Sequence, residues 1–169
     1  MHIFLSGDVQ VGKSTIINKV LNTLNVPYKG FRTYGAECKE DGSSVVYISP
    51  ADNLDDKTVA AYRGGNGHSK MDINKDAFEV KGVEILKKSL NSDVNLILMD
   101  EIGFIESHFE GFKNAIREVL NSNKTILGVV RNKDTDFLNE VRNHESVTVI
   151  VVNKENRDQL PDIITDMLN

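Results

Sequence analysis

Eight residues near the start of the chain have the types and the spacing that bind a phosphate chain. The run Gly7-Asp8-Val9-Gln10-Val11-Gly12-Lys13-Ser14 places two glycines, a lysine and a hydroxyl in the GxxxxGK[ST] pattern. Glycine lets the backbone approach an anion closely, and the start of a helix directs unpaired N–H groups at it. Lys13 would reach the β- and γ-phosphates, the Ser14 hydroxyl would ligate Mg²⁺, and Thr15 would bond nearer the α-phosphate.

Two adjacent carboxylates follow a later apolar run and could supply the remaining chemistry. The run Asn95–Met99 predicts a buried parallel strand, and it is followed directly by Asp100 and Glu101. Parallel strands deliver their carboxyl ends to the crevice where ligands bind. Asp100 is therefore suited to hold Mg²⁺ through a water, and Glu101 to polarise the attacking water as a general base.

Three arginines are candidates for neutralising the charge that develops on a transferred phosphoryl group. Arg131 directly follows the apolar run Thr125–Val130, at the end of a predicted strand. Arg32 lies in a predicted hairpin, and Arg157 begins a predicted helix. Each could instead be a surface or salt-bridging residue. Arg131 is the best placed, because its strand ends at the ligand-facing edge, and we assign it with Lys13 and Glu101 to the predicted catalytic set.

Short apolar runs alternate with amphipathic stretches along the chain. Five predicted strands are rich in isoleucine and valine: His2–Ser6, Val45–Ser49, Asn95–Met99, Thr125–Val130 and Val147–Val152. Five predicted helices lie between or after them: Lys13–Leu24, Ala77–Leu90, Glu106–Leu120, Phe137–Asn143 and Arg157–Leu168. Strands separated by helices predict a three-layer α/β fold with a mainly parallel sheet.

The segment between the first helix and the second departs from this alternation. Two β-like runs within Tyr28–Ser49 are divided by Glu40-Asp41-Gly42, which predicts an added antiparallel hairpin. The pattern also suggests a short helix at Asp55–Tyr62. The glycine-rich stretch Gly64–His68 predicts a flexible loop.

Length and composition narrow the class of protein. The 169 residues predict a single domain spanning 1–169. A net charge of −5 lowers the expectation of nucleic-acid binding. The one cysteine, Cys38, excludes an internal disulfide and fits a reducing compartment, and no apolar run approaches 18 residues. We therefore expect a cytoplasmic protein without a membrane segment.

The motifs together resemble a known family, the small thermophile-type nucleoside-triphosphatases. The resemblance lies in Gly7–Thr15, in Asp100-Glu101-Ile102-Gly103 and in Lys154–Leu160, and Gly30-Phe31-Arg32-Thr33 is similar to the family's Gly-Phe-x-Thr. It implies a RecA-like P-loop fold and Mg²⁺-dependent hydrolysis of ATP, GTP and other triphosphates to diphosphates. The implied nucleotide contacts are Gly7, Asp8, Val9, Gln10, Val11, Gly12, Lys13, Ser14 and Thr15, with Leu98, Met99, Asp100, Glu101, Ile102, Gly103, Phe104 and Ile105.

The chain departs from the family pattern at several positions. Asp8 and Gln10 stand in a loop that the family fills with proline or glycine. The hairpin run Gly42–Tyr47 lacks the family's arginine and second glycine, and Phe104 replaces a lysine that commonly follows Asp-Glu-Ile-Gly. Two cationic positions near the predicted site are therefore missing, which could alter turnover or substrate choice.

These observations predict hydrolysis of nucleoside triphosphates with broad base tolerance, by a monomer or weak oligomer. Asn153-Lys154-Glu155-Asn156 lacks the fourth-position carboxylate that reads guanine. A nucleotide or polynucleotide kinase is a rival, although the long loop Asp52–Lys75 offers only Arg63 as a lid arginine. A nucleotide-dependent switch or adaptor is the second rival, against which an intact Glu101 argues mildly.

Overall fold

A computed structural model describes residues 1–35, 40, 42–64, 71–103 and 108–169. The elements follow in the order β1 (His2–Ser6), α1 (Lys13–Leu24), β2 (Tyr28–Gly35), β3 (Ser44–Pro50), β4 (Thr58–Arg63), β5 (Met71–Ile73), α2 (Val83–Leu90), β6 (Leu96–Ile102), α3 (Glu110–Leu120), β7 (Thr125–Val130), α4 (Asp136–Arg142), β8 (Val147–Val151) and α5 (Leu160–Leu168). A π-helical segment at Ala77–Gly82 leads directly into α2.

The eight described strands form one sheet in the order β5-β4-β3-β2-β6-β7-β1-β8. Five adjacent strands of this sheet are parallel to one another, namely β2, β6, β7, β1 and β8. Beyond β2 the sheet continues with β3, β4 and β5, each antiparallel to its neighbour. Strand β1 lies between β7 and β8, which places the loop that follows it at the carboxyl edge of the parallel strands. The predicted α/β architecture with a mainly parallel sheet is confirmed.

Apolar side chains cover both faces of the sheet, because alternate residues of a strand point to opposite faces. Leu5 belongs to the cluster under α1 and α5, whereas Phe4 belongs to the cluster under α2, α3 and α4. The central parallel strands β1, β6 and β7 are therefore buried on both sides, and the fold has three layers. No helix in the described part of the chain is long and apolar enough to cross a membrane.

Strands β2 and β6 approach each other closely at one glycine. Gly30 has a φ of 111°, and a Cβ at this position would lie 1.9 Å from the carbonyl oxygen of Leu98. Only glycine fits this contact without displacing a strand. The register that follows sets Arg32 beside Asp100, so their side chains share one face of the sheet.

The antiparallel part of the sheet differs most from the sequence prediction. The predicted hairpin is confirmed as the β2–β3 pair, but the helix predicted at Asp55–Tyr62 is wrong. Thr58–Arg63 is strand β4, because its β-branched and aromatic residues pair with β3 and bury Ala60 and Ala61. Strand β5 extends the sheet further and was not predicted.

Several predicted boundaries move or lie outside the described residues. Helix α5 begins at Leu160 and not at Arg157, because turns occupy the preceding residues. Helix α3 begins at Glu110, four residues after the predicted start. The following sequence-based assignments concern residues outside the described ranges: the turn residue Asp41, the loop residues 65–68, Cys38, Glu106, Phe104 and Ile105.

Candidate active site

The predicted phosphate-binding loop connects β1 to α1 and has the backbone geometry that the motif requires. Gly7 has a φ of 137° and Gly12 a φ of 115°, both in the region that favours glycine. A Cβ on Gly7 would lie 2.5 Å from the carbonyl oxygen of Val152, so the loop packs tightly against the chain that follows β8. Gly12 caps α1 without a side-chain hydrogen bond, which leaves the first N–H groups of the helix available to an anion.

Lys13 folds back over this loop. Its Nζ donates to the carbonyl oxygens of Gly7 and Asp8, at 2.9 and 2.6 Å. Burial lowers the pKa of the amine, against the opposing influence of Glu101. A phosphate is a charged acceptor and would compete with two neutral carbonyls for the same ammonium group.

A cleft of about 410 Å³ lies over the loop and unites residues from three parts of the chain. Eight of the nine predicted loop residues line it together with Glu101 from β6 and Arg131, which directly follows β7. Asn132 and Lys133 also line the cleft and were not predicted, because their only signal in the sequence is that they directly follow Arg131. The full lining is Gly7, Asp8, Val9, Gln10, Gly12, Lys13, Ser14, Thr15, Glu101, Arg131, Asn132 and Lys133.

Glu101 and Arg131 meet in this cleft as an ion pair, with the Nε of Arg131 donating to Oε1 of Glu101. The N–H of Glu101 donates to the Thr33 hydroxyl at 3.2 Å, which ties the end of β6 to β2. The guanidinium of Arg142 donates to the backbone carbonyls of Arg131 and Lys133. Hydrogen bonds from neighbouring elements therefore fix the backbone at both members of the ion pair.

Asp100 lies behind the cleft and does not line it. It is 7% exposed, and its Oδ2 accepts from Nη1 of Arg32 at 3.1 Å, while Nη2 of Arg32 donates to Asn18 on α1 at 2.9 Å. Burial raises the pKa of Asp100 to about 6, because the nearby Arg32 only partly offsets the loss of water. Arg32 is thus a partner of this carboxylate and not a free cation over the loop.

The other predicted contacts that belong to the described residues lie outside the cleft lining. Leu98, Met99 and Ile102 have no exposed surface and belong to the core on the two faces of the sheet. Gly103 is buried and Val11 is half-buried, and neither lines the cleft.

Two asparagines of the turn after β8 use their side chains in hydrogen bonds within the turn. The Asn153 side chain accepts from the N–H groups of Glu155 and Asn156, at 2.9 Å each. Asn156 accepts from the Asn153 N–H and donates to the Val151 carbonyl, also at 2.9 Å. Arg157 follows, with its Cδ 3.9 Å from where a Cβ on Gly12 would lie. This turn therefore stands beside the phosphate-binding loop, on the side opposite Arg131.

A glycine-rich strand-to-helix loop with a lysine, beside acidic and cationic residues at the edge of a parallel sheet, defines a P-loop nucleotide-binding enzyme. The family model described as NTPase matches residues 2–165, and the chain belongs to that family. The expected class of enzyme, a nucleoside-triphosphatase, is thereby confirmed.

Relatives match over nearly the whole chain. Nucleoside-triphosphatase THEP1 of Methanosarcina acetivorans is 32% identical over 98% of this chain and 95% of its own length. The human cancer-related nucleoside-triphosphatase is 30% identical over 97% of this chain and 95% of its own. The crystal structure of THEP1 from Aquifex aeolicus has a TM-score of 0.80, covering 100% of this chain and 99% of that one at 22% identity. That structure supports the fold.

Proposed function

We propose that this protein hydrolyses nucleoside 5′-triphosphates, ATP and GTP among them, to diphosphate and phosphate in a Mg²⁺-dependent reaction. The observation that carries the proposal is the single cleft that joins Lys13 of the phosphate-binding loop to Glu101 and Arg131. A cation for the phosphates, a carboxylate for water and a second cation for developing charge are the groups this reaction needs. The names of the relatives, which are nucleoside-triphosphatases, agree with this assignment.

The triphosphate would bind along the loop between β1 and α1. The backbone N–H groups at the start of α1 would surround the phosphate oxygens, and Lys13 would turn from the Gly7 and Asp8 carbonyls to the β- and γ-phosphates. Ser14 and Thr15 are exposed in the cleft and free to face the phosphates.

The residues at this site fit a magnesium ion in their chemistry. Ser14 lines the cleft and would offer its hydroxyl to the ion, while the carboxylate of Asp100, behind the cleft, would hold the ion through a water; both are hard oxygen donors of the kind that Mg²⁺ prefers. Burial raises the pKa of Asp100, and a cation bound nearby would lower it and favour the ionised carboxylate. Among the described residues no group of three or more His, Cys, Asp or Glu could hold a metal, which fits an ion shared with the phosphates. When bound, the ion would neutralise charge on the β- and γ-phosphate oxygens.

Glu101 and Arg131 would divide the chemistry of the γ-phosphate between them. Arg131 would leave the carboxylate for the incoming phosphate oxygens, which carry more negative charge. Glu101 would then accept a proton from the attacking water. The water oxygen bonds to the γ-phosphorus as the bond to the β–γ bridging oxygen breaks, and the diphosphate leaves with that electron pair.

An assay of phosphate release tests the proposal. Purified protein is given ATP, GTP, CTP or UTP with Mg²⁺, each with and without an added nucleoside acceptor. Free phosphate without acceptor, lost when EDTA is added, supports the hydrolase. Transfer that requires the acceptor would replace it with a kinase. Tight binding without turnover would replace it with a nucleotide-dependent switch.

Length, cysteine content and net charge bear on the extent of the catalytic domain and on where the enzyme works. We infer that residues 1–169 act as one catalytic domain with a nucleoside triphosphate as its substrate. The lone Cys38 and the net charge of −5 support a cytoplasmic enzyme that does not depend on nucleic acid.

A further inference from the structure

Arg157 lies beside the phosphate-binding loop, and its positive charge has no role in the proposed hydrolysis. The Cδ of Arg157 lies 3.9 Å from where a Cβ on Gly12 would be, so the aliphatic part of its side chain covers the start of α1. Its side chain is 44% exposed. In the described part of the chain, its guanidinium has one acidic partner, the neighbouring Asp158 at 3.8 Å, and that side chain is 84% exposed. A pair this long and exposed holds the guanidinium weakly.

The backbone of Arg157 is fixed, although its side chain is loosely held. The bonds of Asn153 and Asn156 close the turn after β8, and the N–H of Arg157 donates to the Asn153 carbonyl at 3.2 Å. The N–H of Val152 donates to the Ser6 carbonyl at 2.7 Å, which ties the same turn to the loop after β1. A fixed backbone presents the guanidinium at a constant place beside the loop.

The order of strands indicates on which side of β1 the γ-phosphate and the nucleoside of a bound nucleotide would lie. Glu101 and Arg131 come from β6 and β7, on one side of β1, and they mark where the γ-phosphate must lie. Strand β8 lies on the other side of β1. A phosphate chain that crosses the loop from the γ end therefore directs its nucleoside toward the turn after β8, where Arg157 stands.

The side chains of this turn favour contact with the face of a base over contact with its edge. The amides of Asn153 and Asn156 could read a base edge by hydrogen bonds, but the amide oxygen of Asn153 and both polar atoms of the Asn156 amide are used inside the turn. The planar guanidinium of Arg157 remains, and a guanidinium stacks on the π-face that every nucleobase has.

We propose that Arg157 is a binding residue for the nucleoside end of the substrate, and that its guanidinium stacks on the nucleobase without regard to base identity. This assignment rests on the proposed function for its ligand, a nucleoside triphosphate. It would supply an affinity for the nucleoside that the phosphate-binding loop cannot give, and it agrees with the broad base tolerance that the sequence predicts.

Binding of unreacted nucleotides tests the proposal by calorimetry, with the full chain and Mg²⁺. The probes are ADP, GDP, CDP and UDP, with inorganic pyrophosphate as the probe that has no base. Arg157→Ala should weaken all four nucleoside diphosphates by roughly 5- to 100-fold, the range measured for base stacking on a side chain. Pyrophosphate should bind within twofold of the parent. Arg157→Lys keeps the charge but lacks the plane, so it should show most of the same loss.

Arg63→Ala is the matched control, because it removes an exposed arginine from the distant strand β4 with the same change in net charge. It should leave all five affinities unchanged. A parallel loss of pyrophosphate binding in Arg157→Ala, or full affinity in Arg157→Lys, would show a purely electrostatic role and overturn stacking. Unchanged nucleotide binding in Arg157→Ala would also overturn it. Because binding is measured without turnover, failure of the proposed hydrolysis is detected separately, in the phosphate-release assay of the parent.

Discussion

Glu101 and Arg131 neutralise each other where the triphosphate should react. The ion pair lies at the wall of the cleft, next to the loop that holds Lys13, and all three charges are within the same lining. Lys13 is likewise engaged with carbonyls of its own loop. Each of the three groups thus has a contact within the protein that a γ-phosphate would have to replace. Under the proposed function, binding of the triphosphate would therefore also assemble the reactive arrangement.

Replacing Glu101 with glutamine should separate hydrolysis from binding. Glu101→Gln keeps the size of the side chain but cannot accept a proton from water. We expect phosphate release to fall by roughly 10²- to 10⁴-fold, the usual contribution of a general base. ATP affinity should be retained, because the loop and Lys13 supply it. Single-turnover hydrolysis and ATP titration measure the two effects, and a rate within a few-fold of the parent would assign the proton to another group.

Arg131→Ala should distinguish the γ-phosphate from the rest of the nucleotide. Removing a preorganised cation that meets developing charge costs roughly 10²- to 10³-fold in kcat. ADP lacks the γ-phosphate, so its affinity should remain near that of the parent. The comparison needs kcat for ATP and the Kd of ADP from the same preparation. Equal weakening of both nucleotides would place Arg131 on the β-phosphate instead.

At the level of side chains, local motifs could be predicted and long-range partners could not. The loop Gly7–Thr15 and the pair Asp100-Glu101 are contiguous in sequence, so their chemistry is visible in the spacing. The contact of Arg32 with Asp100 depends on the register of β2 against β6, across 68 residues. That register depends in turn on the close approach at Gly30, which no local pattern indicates.

Among the elements, the close approach of β2 and β6 is the contact on which the site depends most. Arg32 and Thr33 reach Asp100 and Glu101 only because these strands are neighbours in this register. The predicted parallel strands were recognisable from their apolar runs, whereas β4 was mistaken for a helix. Its six residues are too few to show a period, and its conformation comes from pairing with β3.

Gly30→Ala tests this contact between strands. The new Cβ would meet the Leu98 carbonyl at 1.9 Å while the residue keeps a φ of 111°. Backbone strain and overpacking together should lower the free energy of unfolding by about 3 kcal/mol. Gly42→Ala is the matched control: its φ is 79°, but nothing lies within 4 Å of its Cβ position, so strain alone should cost about 1 kcal/mol. Urea unfolding of both variants measures the difference, and equal losses would contradict a steric role for Leu98.

For the molecule as a whole, one buried histidine links stability to pH. His2 is 2% exposed, and its Nε2 donates to the Leu120 carbonyl at 2.9 Å, which leaves Nδ1 buried without a partner among the described residues. Burial lowers the pKa of His2 below its ordinary 6.5, with the N-terminus and His144 acting in the same direction. A proton on Nδ1 would be a buried donor with nothing to accept it.

Acidification should therefore destabilise the folded state through His2. Because the folded pKa is depressed, the unfolded chain binds more protons below about pH 6.5, and the free energy of unfolding falls as the pH is lowered from 7.5 to 5.5. His2→Gln can keep the bond to Leu120 but does not titrate, so it should reduce this slope. Chemical unfolding at both pH values is the measurement, and identical slopes in the parent and in His2→Gln would exclude His2 as the source.

The place of β1 in the sheet also bears on how the protein is made. This strand is synthesised before the other seven described strands, yet among them it pairs only with β7 and β8, whose residues are synthesised after position 124. Until those strands emerge, the segment that ends in the phosphate-binding loop has no neighbour on either side. A nascent chain should therefore gain affinity for nucleotide late and abruptly, once β7 and β8 have been added. Nucleotide present in the cell would then bind chains whose sheet is already closed around β1, and would favour finished molecules over partly made ones.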